Sequence, residues 1–124
     1  MTKILVAEDE EMIRDMYTLM LPILGYEAVI TPNADEALRE LSSANNIEII
    51  VLDNYMGKGM SGIEVLYQLR NGFCNYKYHY TPVLVVTGQH YLAAKAASLD
   101  ASYLGKPFTL HQLKATLEKI KPAK

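Results

Sequence analysis

Glu8-Asp9 follows "KILVA", Asp53 follows "IIVL", Thr87 follows "PVLV" and its valine, and Lys106 follows "SYLG". Three acids, one hydroxyl and one ammonium therefore each stand just past a short, mostly apolar run. Clustered carboxylates repel unless a cation joins them, and an oxygen-only site with few protein ligands suits Mg²⁺ that retains several waters. A carboxylate beside such a metal can attack phosphorus and form an acyl phosphate. The charge on the transferring phosphoryl oxygens then needs cationic and hydroxyl partners, which Lys106 and Thr87 are suited to supply. Each residue taken singly has a plainer explanation. Asp9 suits a helix cap, Glu10 and Glu11 suit the positive end of a helix, and Thr87 and Lys106 suit ordinary loops. All five at equivalent places is a pattern that chance rarely produces.

Those places must be strand ends. "KILVA" (3–7), "EAVIT" (27–31), "IEIIVL" (47–52), "PVLVV" (82–86) and "SYL" (102–104) read as strands. The first, third and fourth are nearly apolar throughout, as strands buried on both faces are. Ile13, Met16, Tyr17, Met20, Leu21 and Leu24 recur at the spacing of one helix face, with Gly25 as a stop. Pro22 removes a backbone donor and should kink or tighten the last turn. Ala34, Ala37, Leu38 and Leu41 predict a second helix from near Asn33. Ile63, Leu66 and Tyr67 predict a third, opened by Ser61-Gly62, and a short fourth falls within 90–99. A fifth begins at Thr109, where "TLHQ" can form a capping box, and runs through Leu110, Leu113, Leu117 and Ile120. Strands alternating with helices imply right-handed crossovers and a parallel sheet covered on both faces, an α/β sandwich. In such a sheet ligands bind beyond the carboxyl ends of the strands, at the switch in strand order.

The bulk numbers agree. The chain has 124 residues, a length that suits one core, and a formal net charge of −2, which lacks the basic excess of a nucleic-acid binder. A single cysteine, Cys74, forms no internal disulfide and fits a reducing compartment, and it reads as an inert thiol. No run approaches the roughly 18 apolar residues of a membrane span, and the N-terminal apolar run is too short for a secretory signal. A cytoplasmic domain without membrane insertion is expected, ending in a frayed basic "KIKPAK".

"ILVAEDE", "IIVLDNYM", "MSG", "VLVVTG" and "YLGKPF", in that order, resemble the receiver domain of bacterial response regulators over essentially all 124 residues. The resemblance implies a flavodoxin-like (βα)5 sandwich with parallel strands in the order 2-1-3-4-5. It also implies a single receiver domain over 1–124 with no effector domain in this chain, so that output passes by contact. Glu8 and Asp9 would be metal-site acids, Asp53 the phosphoacceptor and a metal ligand, and the Tyr55 backbone carbonyl a further ligand, for Mg²⁺ or Mn²⁺. Thr87 would be the switch hydroxyl, Lys106 the phosphoryl partner and Tyr103 the aromatic whose rotamer reports the state. The Lys106–Pro107 bond is expected to be cis. The implied partners are a histidine kinase or histidine phosphotransfer protein as phosphodonor and a downstream protein target. Such a domain assists its own phosphorylation and dephosphorylation without being a dedicated enzyme.

Four features depart from the family pattern. Glu8 stands where aspartate is common, and Gly88 replaces a frequent alanine, opening the approach to the phosphoryl group. The stretch from Thr87 to Lys106 is short, which weakens the case for dimerisation through the fourth helix and the elements beside it. After Asp53, the usual Met-Pro-x-Met becomes Met56-Gly57-Lys58-Gly59-Met60, without the proline and one residue longer. Lys58 does not belong to a P-loop, because the glycine five positions before Gly57 and the Ser/Thr after Lys58 are both missing. It reads as a solvated lysine between flexible glycines, with docking of an acidic partner as the alternative. Tyr55 is a candidate modulator whose ring, over the site, would limit attack by water. "NYKYHY" (75–80) reads as an ordinary connection or a strand lead-in with one buried face rather than a partner patch, and His79, His90 and His111 read as surface or boundary residues.

Competing functions are weaker. An aspartyl phosphatase of the haloacid dehalogenase type wants a second aspartate two residues after the first, where this chain has Tyr55. A flavodoxin-like cofactor binder wants a Ser/Thr-rich loop after the first strand. A phosphate-independent scaffold conflicts with the intact set of Asp9, Asp53, Thr87 and Lys106.

Overall fold

The computed structural model describes residues 1–43, 45–57, 59–72, 76–120 and 122. Cys74, Lys58 and parts of "NYKYHY" and "KIKPAK" lie outside these described residues. Five strands and five helices alternate as β1 (Thr2–Ala7), α1 (Glu11–Ile23), β2 (Tyr26–Thr31), α2 (Ala34–Leu41), β3 (Ile49–Asp53), α3 (Gly62–Arg70), β4 (Val83–Thr87), α4 (Leu92–Ser98), β5 (Ser102–Gly105) and α5 (Leu110–Lys119). The sheet is parallel in the order β2-β1-β3-β4-β5.

Alternation along the central strands divides the core. Leu5, Ile50, Leu52, Val83 and Val85 face α2 and α3, whereas Ile4, Val6, Ile49, Val51, Leu84 and Val86 face Tyr17 and Leu21 of α1 and Leu113 and Leu117 of α5. Both sides of β3 and β4 are fully covered, which explains why these runs contain no polar residue until their last position.

Local chemistry sets the boundaries. Pro22 has no N–H, and the chain leaves α1 through a tightened turn in which the Gly25 N–H donates to the Pro22 carbonyl at 3.0 Å. Gly25 takes φ +92°, the left-handed exit that glycine favours. Ser61 with Glu64 and Thr109 with Gln112 form capping boxes at the starts of α3 and α5. Asp9 does not cap α1, because Glu10 occupies the cap position without a side-chain bond. The third strand starts two residues later than the apolar run predicts and retains Asp53, whose Cα pairs with Val86.

The "NYKYHY" stretch forms a 3₁₀ turn over Tyr76–Tyr78 in place of a strand lead-in. Tyr78 is buried, while Tyr76 and Tyr80 are exposed. Half-buried Arg70 fixes this connection by donating to the carbonyls of His79, Thr81, Leu99 and Asp100. Among the described residues no helix is long and apolar enough to cross a membrane.

Candidate functional site

Strand order reverses between β1 and β3, so a crevice opens beyond their carboxyl ends. Glu8, Asp9, Asp53, Thr87 and Lys106 all fall at this edge. Glu8 and Asp53 are buried, with 0% and 5% of their surface exposed. The Lys106 ammonium reaches in from the end of β5 to lie 3.0 Å from Asp53 Oδ1 and 3.3 and 3.4 Å from the two Glu8 carboxylate oxygens. The Lys106–Pro107 peptide bond is cis.

Electrostatics follow from burial. Loss of water pushes Glu8 up to about 8, and its hydrogen bond to Asp53 and the nearby Asp53 charge push the same way, against Lys106. Asp53 is also raised, again by burial first, although the bonds it accepts from Glu8 and Lys106 oppose this. Burial alone would lower Lys106, but the two carboxylates outweigh it and hold the ammonium above its ordinary value.

The donor set meets the demands of a hard divalent cation. Among the described residues, Glu8, Asp9 and Glu10 each offer a carboxylate oxygen within 4.8 Å of one another. Every donor is oxygen, and burial disfavours the charged forms of Glu8 and Asp53, a penalty that a divalent ion would offset. Asp53 is not part of that close trio, and Glu10, which sequence reading treated only as a helix-end acid, is.

Several residues that the sequence did not single out shape the site. Arg14 on α1 donates to the Glu8 and Asp9 carbonyls at 3.1 and 2.7 Å, fixing the turn that carries both acids. Asn54 anchors the segment after Asp53, accepting from the Ile63 N–H and donating to Gln89 Oε1, both at 3.1 Å. Gly62 is more than a helix opener. A Cβ there would lie 2.6 Å from the Asp53 carbonyl oxygen, a contact that backbone must relieve. Gly62→Ala is accordingly expected to cost about 1–3 kcal/mol of stability and to displace Asp53. Chemical denaturation measures the first effect and the rate of acyl-phosphate labelling the second.

Thr87 is buried, and its hydroxyl accepts the Gln89 N–H at 3.1 Å. Tyr103 Oη lies 3.3 Å from the Thr87 carbonyl and 2.6 Å from His90 Nδ1, so His90, though exposed, is tied to the site's wall. Tyr55 is 73% exposed. Gly88 is exposed, and a Cβ there would meet nothing closer than the Lys106 carbonyl at 4.0 Å. Gly57 and Gly59, at φ +70° and +89°, require glycine, and a Cβ on Gly57 would lie 3.8 Å from Asp9 Oδ2. The lengthened loop thus passes directly beside an acid of the site.

Comparison with known proteins agrees with this geometry. Residues 4–118 match the family model described as the response regulator receiver domain. Response regulator MprA from Mycobacterium sp. (strain KMS) is 32% identical over 121 residues, covering 95% of this chain and 50% of that protein. The chain thus spans about half the length of the curated relatives it matches. Chemotaxis protein CheY4 of Vibrio cholerae superimposes with a TM-score of 0.85 at 27% identity, over 98% of this chain and 99% of that one. Response regulator protein TrrA of Thermotoga maritima, solved in complex with Mg²⁺-BeF, gives 0.81 at 30% identity over 96% and 98%.

Proposed function

The chain belongs to the response regulator receiver domain family of two-component signalling, and on that footing we propose that Asp53 is its phosphoacceptor. The observation that carries this reading is the Lys106 ammonium 3.0 Å from Asp53 Oδ1 in the switch-point crevice. A carboxylate oxygen of Asp53 attacks the phosphorus of a phosphohistidine on a histidine kinase or phosphotransfer protein. The O–P bond forms as the N–P bond breaks, and the electron pair leaves with the donor imidazole nitrogen. Lys106 moves from neutralising Asp53 to neutralising the new phosphoryl oxygens, and the Thr87 hydroxyl donates to one of them. Glu8, Asp9, Asp53 and the Tyr55 main-chain carbonyl would hold Mg²⁺ or Mn²⁺, which when bound offsets phosphoryl charge.

Output follows from redistribution between two packed states. Thr87 drawn toward the phosphoryl group loosens the Tyr103 side of β4 and β5, and a bias of a few kcal/mol suffices to switch partner affinity. The partner is a downstream protein or the next carrier of a phosphorelay, and a cytoplasmic setting goes with this reading. The domain acts as an acceptor that assists its own phosphorylation, not as a dedicated enzyme.

Intact-mass spectrometry tests the proposal. Incubation with a small acyl phosphate and Mg²⁺ adds one phosphoryl group to the wild type, and chelation of the metal or Asp53→Asn removes the gain. Equal labelling of wild type and Asp53→Asn contradicts the assignment.

A further inference from the structure

His90 has no part in phosphoryl transfer, yet three observations tie it to the Tyr103 switch. Its Nδ1 lies 2.6 Å from Tyr103 Oη, and the two rings meet edge to face at 6.1 Å and 71°. The same Oη lies 3.3 Å from the Thr87 carbonyl, which also accepts the Lys106 backbone N–H at 3.0 Å. Gly105 makes room for the pair: a Cβ there would fall 3.0 Å from His90 Cε1 and 3.2 Å from Tyr103 Oη. Imidazole and phenol occupy space that any larger residue at position 105 would take.

We propose that His90 is a positioning residue of the switch, pinning the Tyr103 hydroxyl against the Thr87 carbonyl so that the tyrosine rotamer answers to His90 as well as to Thr87. The functional meaning rests on the receiver reading above; the contact itself does not. Proton count sets the direction of the relay. A phenol carries one hydrogen, and if it is donated to Nδ1, the Thr87 contact has no donor. Both contacts are hydrogen bonds only when Nδ1 carries a proton and donates to Oη, while the phenol donates to the Thr87 carbonyl. The exposed imidazole leaves Nε2 to water. One carbonyl then receives both the Tyr103 hydroxyl and the Lys106 N–H, so a displacement of Thr87 toward Asp53 strains the two bonds together. His90 opposes the release of Tyr103 from the far side.

NMR of the whole chain with labelled histidine and tyrosine tests this in the unphosphorylated protein. The wild type is expected to show His90 protonated at Nδ1 and one dominant Tyr103 χ1 rotamer. His90→Ala lowers the ratio of that rotamer to the others roughly two- to tenfold, the range that one net hydrogen bond supplies. His90→Asn, whose amide can overlay Nδ1, restores the ratio, and Gly105→Ala lowers it with His90 still present. An Nδ1 without its proton, or a rotamer ratio unchanged in both His90→Ala and Gly105→Ala, overturns the proposal. Repeating the spectra with Mg²⁺ and beryllofluoride separates the two claims. A wild type that gives no response around Asp53 and Thr87 contradicts the receiver reading, while the free-protein rotamer ratio still decides the role of His90.

Discussion

Lys106→Met lowers the rate of labelling by a small acyl phosphate about 100-fold, the scale on which one preorganised charge partner stabilises a transition state. Lys106 is the single cation, among the described ion pairs, that contacts either buried acid, at 3.0 Å from Asp53 and 3.3 Å from Glu8. Methionine is unbranched and keeps most of the length and volume of the lysine side chain, so the loss reports mainly charge rather than packing. The variant also leaves Glu8 and Asp53 facing each other without a cation. Their carboxyls move further toward the protonated form, and added Mg²⁺ is expected to recover only part of the rate. Rapid-quench labelling checks the result, and a rate within threefold of wild type would remove Lys106 from the chemistry.

The second large effect is on stability against pH in the metal-free protein. In the unfolded chain Glu8 titrates near its ordinary 4.5, whereas in the folded protein it titrates near 8. Between those values the folded state holds a proton that the unfolded chain has released. Stability from this group is therefore fully present below about 4.5 and is lost as pH rises toward 8. Asp53, raised for the same desolvation reason, slopes in the same direction. Lys106, raised above its ordinary 10.5, contributes its own change only at higher pH. The expected loss across the window is roughly 2–4 kcal/mol. Urea denaturation in chelator from pH 4.5 to 8.5 measures it. Glu8→Gln, neutral at every pH, flattens the slope, and saturating Mg²⁺ reverses it, because deprotonated ligands bind the ion. A slope identical in wild type and Glu8→Gln would place the titration elsewhere.

The strand ends were legible because fully buried strands cannot carry a polar side chain until they leave the core. That rule puts Glu8, Asp9, Asp53 and Thr87 on one edge, while Lys106 follows the partly exposed β5, and helix periodicity with the capping box at Thr109 supplies the order of elements. The family resemblance carried the strand order and the residue roles. What could not be read has a common cause. Asn54, Gly62 and His90 act through neighbours that only the tertiary fold delivers: Asn54 meets Gln89 across 35 residues, and Gly62 matters because the Asp53 backbone passes over it. Nothing in the type or local spacing of these residues marks them. Asp9 shows the converse: it looked like a helix cap by type, and the chain turns into α1 one residue later.

The most direct test of the central claim is to locate the phosphoryl bond. After labelling with a small acyl phosphate and Mg²⁺, borohydride reduces an aspartyl phosphate to homoserine, and the position of that residue is read by peptide sequencing in a mass spectrometer. Homoserine is expected at position 53 and nowhere else, with none formed when the metal is chelated. Homoserine at position 9, a phosphoryl group on His90 or another histidine, or an unmodified Asp53 in a labelled protein would contradict it.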